Sequence, residues 1–168
     1  MMDERRSQFL EAMSRAACTV SVVTTDGPAG RAGVTVSAMT SVSADAPGPC
    51  LLVCVHEKSP AAAAIAANGV FCVNVLGAGQ AHVSDTFAGR LLTAGGDKFG
   101  PFDWGVVETG APALDDALTV LDCRLRQVVE MGTHRVFFGD VLGIRQGSGD
   151  RPLLHVNRQY GAPAPLHP

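Results

Sequence analysis

The sequence predicts a mainly β domain, an antiparallel barrel with peripheral helices, on three observations. Short β-rich runs outnumber helical ones. Tight turn clusters join most of them, which disfavours a parallel sheet of βαβ units. Of the 168 residues, 46% are hydrophobic and 17% charged, with a positive mean hydropathy, enough for one core with apolar surface left over. A dimer interface accounts for that excess, and one domain spans residues 1–168.

Asp3 to Ala17 places Phe9, Leu10, Met13 and Ala17 on one face of an amphipathic helix, a lid at the start of the domain. Four β runs follow, at Cys18 to Thr25, Arg31 to Met39, Cys50 to His56 and Val70 to Leu76. Asp26-Gly27-Pro28 and Asp45-Ala46-Pro47-Gly48 mark turns between them. Between the third and fourth runs, Ser59 to Gly69 has the composition of a helix: Ser as N-cap, Pro at the first helical position, an alanine-rich body and Asn-Gly at the exit. A shorter helix is predicted over Gln80 to Ala88. The Gly-rich stretch from Gly89 to Gly105, with the single tryptophan Trp104, is predicted to be a mobile loop over a site. Leu121, Cys123 and Leu125 alternate with charged residues, and Val136, Phe138, Leu142 and Ile144 form a second such set. They predict two long strands joined by the turn Met131-Gly132-Thr133-His134. A short strand at Pro152 to Val156 precedes Arg158-Gln159-Tyr160 and a Pro-rich tail.

A net charge of −3 with no Lys/Arg run leaves no electrostatic footprint for nucleic acid or an anionic membrane. The charged N-terminus and the lack of a long apolar stretch predict a soluble, cytoplasmic protein. Cys18, Cys50, Cys54, Cys72 and Cys123 sit in apolar runs without C-x-x-C spacing and are read as reduced core residues. No His or Cys spacing predicts a metal site; His56, His82 and His155 are expected on separate elements. Gly77-Ala78-Gly79 lacks the third glycine of a dinucleotide fingerprint, because position 82 is histidine. No G-x-S-x-G elbow supports a hydrolase, and Phe71, Phe137 and Phe138 are read as core or interface.

Three segments carry candidate chemistry. Val34 to Ser43 holds five hydroxyl residues in ten, alternating with apolar ones. The hydroxyls line one strand face, and with the backbone N–H groups beside Ala38 they match the carbonyl oxygens and ring nitrogens of an isoalloxazine; a strand facing water has the same composition. Lys58-Ser59-Pro60 puts a cation and a hydroxyl at a helix start, either an anion site or an ordinary cap. His134, at a tight turn before a strand, suits either a nicotinamide contact or a local turn bond.

Together these residues resemble the flavin reductase-like family, in particular the short reductase components of two-component aromatic monooxygenases such as those acting on hydroxyphenylacetate or chlorophenols. The resemblance is carried by Gly33 to Ser43, Leu52-Val53-Cys54-Val55, Phe71 to Leu76, Phe87-Ala88-Gly89, Lys98-Phe99, Gly132-Thr133-His134 and Arg158-Gln159-Tyr160. It implies a split β-barrel of the FMN-binding type, a homodimer with non-covalent FMN or FAD near the interface, and hydride transfer from NADH or NADPH. The implied flavin contacts are Thr35, Ser37, Ala38, Met39, Thr40, Ser41, Val55, Lys58, Ser59, Asn74, Gln80 and Phe87; the implied nicotinamide contacts are His134, Arg158 and Tyr160. Two segments depart from the family pattern. Thr133 stands where a Gly-Asp-His motif has aspartate, and His56-Glu57-Lys58-Ser59 replaces an Asn-Arg-Ser-Ser kind of phosphate segment. The flavin and nicotinamide preferences therefore stay open.

The resemblance further implies that reduced flavin passes to a separate oxygenase. Hydride transfer needs alignment of two rings and no catalytic acid or base, and none is evident here. A non-enzymatic flavin-binding electron carrier on the same barrel is the alternative. A pyridoxamine-phosphate oxidase-like enzyme is disfavoured, because the hydroxyl-rich segment is poor in arginine.

Overall fold

A computed structural model describes residues 2–45 and 47–166. Ala46 of the expected 45–48 turn and the two C-terminal residues of the tail lie outside them. The elements run α1 (Met2–Ser14), β1 (Cys18–Thr19), β2 (Ser21–Thr25), β3 (Ala32–Val36), β4 (Met39–Ser43), β5 (Cys50–His56), α2 (Pro60–Asn68), β6 (Val70–Val75) and α3 (Ala81–Phe87). They continue with β7 (Trp104–Gly105), β8 (Ala113–Leu114), β9 (Thr119–Met131), β10 (His134–Gln146), β11 (Leu154–Val156) and β12 (Gln159–Gly161). The mainly β expectation holds.

Seven strands form one antiparallel sheet in the order β3-β2-β6-β9-β10-β5-β4. β3 and β4 are its opposite edges, yet only Ser37 and Ala38 separate them in the chain. Three Cα steps span about 11 Å at most, so the sheet must curl until its edges stand side by side. The Ala38 carbonyl accepts the Cys54 N–H at 3.0 Å, tying the link to β5. β3 and β4 do not pair, so the barrel stays unclosed.

Two expected strands are each broken in two. Cys18 to Thr25 divides at Val20, because β1 leaves the main sheet to pair with β11. Arg31 to Met39 divides at Ser37-Ala38, where the chain crosses between edges. Alternation runs through both breaks, so periodicity could not mark them.

Adjacent strand residues point to opposite faces, and the sheet has a core on each. Val23, Val53, Phe71, Val73 and Phe137 pack with Ala61, Ala62 and Ile65 of α2. Val22, Cys72 and Val120 pack on the other face with Val83 and Phe87 of α3, Phe99 and Leu114. The 89–105 stretch, expected as a mobile loop over a site, divides: its first half lies exposed, whereas Phe99, Phe102 and Trp104 pack around Phe87, with Trp104 in the β7–β8 pair. At Gly33 of β3 a Cβ would stand 2.6 Å from the Phe87 ring, so glycine lets this cluster lie directly beneath the edge strand.

α2 has the expected ends. Pro60 opens it, and Gly69 closes it at φ 71°, donating its N–H to Ile65 O. α1 forms, but Phe9, Leu10 and Met13 are 62%, 46% and 50% exposed, so its apolar face is left uncovered by the described residues. The expected lid is instead a helix tethered at its end, through Asn157 N–H to Ser14 O and an Arg158–Glu11 ion pair at 2.8 Å.

All five cysteines are free. Cys50, Cys72 and Cys123 are buried, whereas Cys18 and Cys54 are only half-buried. Burial pushes the Cys72 and Cys123 thiols up, with the Asp122 charge adding to it, so both stay neutral. No helix among the described residues is long and apolar enough to cross a membrane.

Ser21 lies fully buried on β2, opposite Val36 and Val75, and its hydroxyl has no partner among the described residues. An unpaired buried hydroxyl costs about 1–3 kcal/mol. Ser21→Ala is therefore expected to leave stability unchanged or raise it by about 1 kcal/mol in urea unfolding; a loss of that size would mean the hydroxyl is bonded.

Candidate functional site

Edge strand β3 separates two clefts. On one side Arg31 to Val34, the start of α2 and the 96–99 segment enclose about 280 Å³. On the other, Thr35, Val36 and Ser37 face Ser84, Arg90, His155 and Tyr160 around about 180 Å³.

The first cleft is lined by two cations, Arg31 and Lys98, and one carboxylate, Asp97, which accepts the Phe99 N–H at 2.9 Å. The Arg31 guanidinium is 3.1 Å from the Asp26 carboxylate and 5.3 Å from the centre of the Phe99 ring, a cation–π contact. Across the cleft Lys98 donates to the Phe87 carbonyl at 3.2 Å, which fixes its ammonium while leaving further donor capacity. Ser59 lines the same cleft. It has N-cap backbone geometry, φ −70° and ψ 130°, but its hydroxyl makes no capping bond. Two cations, an uncommitted hydroxyl and the positive end of a nine-residue helix thus converge on one concavity.

The second cleft holds a hydrogen-bonded cluster. The Tyr160 hydroxyl is 2.7 Å from Asp85 Oδ1 and 2.9 Å from Ser84 Oγ, and Arg90 reaches the same Asp85 oxygen at 3.2 Å. Burial, assisted by the Asp85 bond and charge, pushes the Tyr160 phenol up against the opposing Ser84 bond, so it remains a protonated donor. His155 packs edge-on to its ring, 5.9 Å between centroids. The Thr35 hydroxyl donates to Ser84 O at 2.7 Å and offers a ligand only its acceptor side, whereas Ser37 is exposed at the cleft margin.

Of the expected flavin contacts, Thr35 and Ser37 reach the second cleft and Ser59 the first. Ala38 is exposed on the edge-to-edge link. Met39 packs against the interior, and Thr40 and Ser41 lie exposed on β4. Lys58 is exposed and lines neither cleft; only its N–H is engaged, donating to His56 Nδ1.

Four further expected contacts lie buried in the chain. Val55, 1% exposed, belongs to the interior core. Asn74 is fully buried, with both ends of its amide bonded within the protein. Gln80 braces a loop, accepting from Gly77 N–H and donating to Asp116 O. Phe87 is the centre of the aromatic cluster beneath β3. Amides and aromatics suit a ligand and a core equally, so residue type alone could not separate them.

The expected nicotinamide contacts are not brought together in the chain. Tyr160 is in the second cleft. Arg158 occupies the Asn157-Arg158 turn, where both residues have positive φ, and pairs with Glu11 of α1. His134 is at the hairpin tip opposite His56. His56, His82 and His155 fall on separate elements, β5, α3 and β11, and His56 has His134 as its cross-strand neighbour. Arg31, Arg90 and His155 were missed, and Lys98 was noticed only beside Phe99. For the two arginines the signal available was position: Arg31 lies two residues before Gly33, and Arg90 directly follows Phe87-Ala88-Gly89.

A curled antiparallel sheet with two cations and a helix start around one cleft at its edge defines a mainly β protein whose edge site has donors suited to an anion. Residues 13–164 match the flavin reductase like domain. The chain belongs to that family, and is thus an oxidoreductase that acts with a flavin. It is 46% identical over 159 residues to the FMN reductase (NADH) RutF of Ancylobacter novellus, covering 95% of this chain and 86% of that one. Its fold matches the crystal structure of nitrilotriacetate monooxygenase component B from Mycobacterium thermoresistibile with a TM-score of 0.87 and 30% identity, over 98% and 89% of the two chains. It matches the NADH:FAD oxidoreductase SgcE6 of Streptomyces globisporus, solved with NAD and FAD fragments, with a TM-score of 0.85 and 29% identity over 97% and 95%.

Proposed function

We propose that this chain, acting as one cytoplasmic domain, transfers hydride from NADH to FMN or FAD and releases the reduced flavin to a separate oxygenase, an aromatic monooxygenase among the candidates. The first cleft carries this reading, since its two cations, free hydroxyl and helix start form the donor set that a flavin phosphate requires. NADH is named for both the RutF relative and SgcE6, FMN for the first and FAD for the second. A monooxygenase component B among the structural neighbours supports the hand-over of reduced flavin.

A bound flavin supplies the two-electron acceptor and the nicotinamide the hydride. The protein has to fix one ring against the other and keep them in register, which needs positioning more than proton transfer. Arg31, Lys98 and Ser59 would anchor the phosphate. Ser37, with the acceptor side of Thr35, would meet ring edges along β3. His134 would seat the nicotinamide carboxamide. A second copy of the chain, in a split-barrel homodimer, would cover the apolar face of α1 and complete the nicotinamide site that one chain leaves dispersed.

Mixing the protein with NADH or NADPH and each of riboflavin, FMN and FAD, while following nicotinamide absorbance, tests the reaction. Oxidation with NADH and FMN or FAD is expected; no oxidation with any pair ends the reading, and flavin binding without turnover makes the chain an electron carrier. His134→Ala is expected to raise the NADH KM about tenfold with flavin binding intact, and unchanged kinetics would remove His134 from the site.

A further inference from the structure

The tip of the β9–β10 hairpin holds a contact outside both clefts. His134, the first residue of β10, lies directly opposite His56, the last of β5. One step further the Glu57 N–H donates to Thr133 O at 2.9 Å. A bond at that step makes His56 and His134 a non-hydrogen-bonded pair, the kind in which facing side chains approach most closely. Their rings stand edge to face, 5.0 Å between centroids at 64°.

Each ring is held at Nδ1. His56 Nδ1 accepts the Lys58 N–H at 3.1 Å, which fixes the neutral ring as the Nε2–H tautomer and sets its plane. His134 Nδ1 meets the Thr133 hydroxyl at 3.1 Å, a contact in which either partner can donate. That hydroxyl can rotate, so its bond alone leaves the plane of the exposed His134 ring open. The fixed His56 tautomer also argues against a cation between the two, because its Nε2 carries a proton in place of a lone pair. No third ligand joins them among the described residues.

We propose that His56 is a positioning residue for the nicotinamide site: its anchored ring sets the plane of the His134 imidazole and hence the direction in which His134 Nε2 points. His56 acts wholly through His134, so this role rests on the nicotinamide contact proposed for His134 above.

A mutant cycle on the full chain tests it, with NADH and FMN as substrates and KM and kcat measured separately. His56→Ala is expected to raise the NADH KM three- to tenfold while kcat and the FMN KM stay put. The double variant with His134→Ala should be no worse than His134→Ala alone, because a residue that works only through its neighbour has nothing left to position. His56→Phe keeps a ring edge to face and should recover most of the loss. The ¹⁵N signals of the His134 ring should shift in His56→Ala. If His134→Ala raises the NADH KM but His56→Ala does not, or if the two effects multiply in the double variant, His56 has no positioning role and the reading of His134 survives. If His134→Ala leaves the NADH KM unchanged, both roles fall.

Discussion

Asn74→Ala is expected to lose about 3–5 kcal/mol of stability, close to the upper limit for a single substitution. Asn74 lies on β6 with no exposure, and its Nδ2 donates to Val22 O at 3.0 Å and Thr24 Oγ1 at 3.1 Å on the neighbouring β2. Its Oδ1 accepts the Leu114 N–H at 2.7 Å, one of the bonds that hold β8 on the main sheet, beside that from Arg145 to the Leu114 carbonyl. Thr24 passes the connection on, donating to the Pro112 carbonyl just before β8. Alanine would orphan the Leu114 N–H and take one donor each from Val22 O and Thr24 Oγ1 in a place water does not reach, and each unmade buried bond costs about 1–3 kcal/mol. Urea unfolding followed by circular dichroism is the measurement, with the slope against denaturant checked for two-state behaviour. Thr24→Val should lose less, and combined with Asn74→Ala should add little, because both act on one network. A loss below about 1 kcal/mol for Asn74→Ala would mean that β8 is held by other contacts.

Asn74 also shows where residue patterns stop being informative. Alternation along Val70 to Leu76 places Asn74 on a strand correctly, but whether its amide meets a ligand or the 112–114 segment depends on a contact 40 residues away. α2 was legible because caps and breakers act within a few residues: Pro60 and Gly69 do their work whatever surrounds them. The long β9–β10 hairpin was legible for the same reason. The crossing at Ser37-Ala38 was not, since it follows from sheet order, a property of the whole chain. The candidate site divides similarly. Ser59 is positioned by its own helix and was found. Arg31 and Lys98 reach the same cleft from segments more than sixty residues apart in sequence and became a pair only once β3 and the 96–99 segment were brought together.

The joint change Arg31→Gln and Lys98→Met should raise the KM for FMN about a hundredfold and leave the KM for riboflavin nearly unchanged. Arg31 and Lys98 are the two cations facing the first cleft, and riboflavin differs from FMN only by the phosphate they are proposed to meet. A hydrogen bond to a charged group contributes about 1.5–3 kcal/mol, and 1.4 kcal/mol corresponds to a tenfold change. The exposed position of Arg31 and its standing ion pair with Asp26 hold each contribution to the lower end, about tenfold apiece. Since opposite charges attract, added salt should weaken FMN binding to the wild type and have little effect on the double variant. Asp26→Asn gives the opposite sign: freeing Arg31 from its carboxylate should lower the KM for FMN. Lys98→Arg, which keeps the charge, should stay within a few-fold of wild type. Equal losses for riboflavin and FMN would place the damage in the fold around Phe87 and Phe99, and would remove the first cleft as the phosphate site.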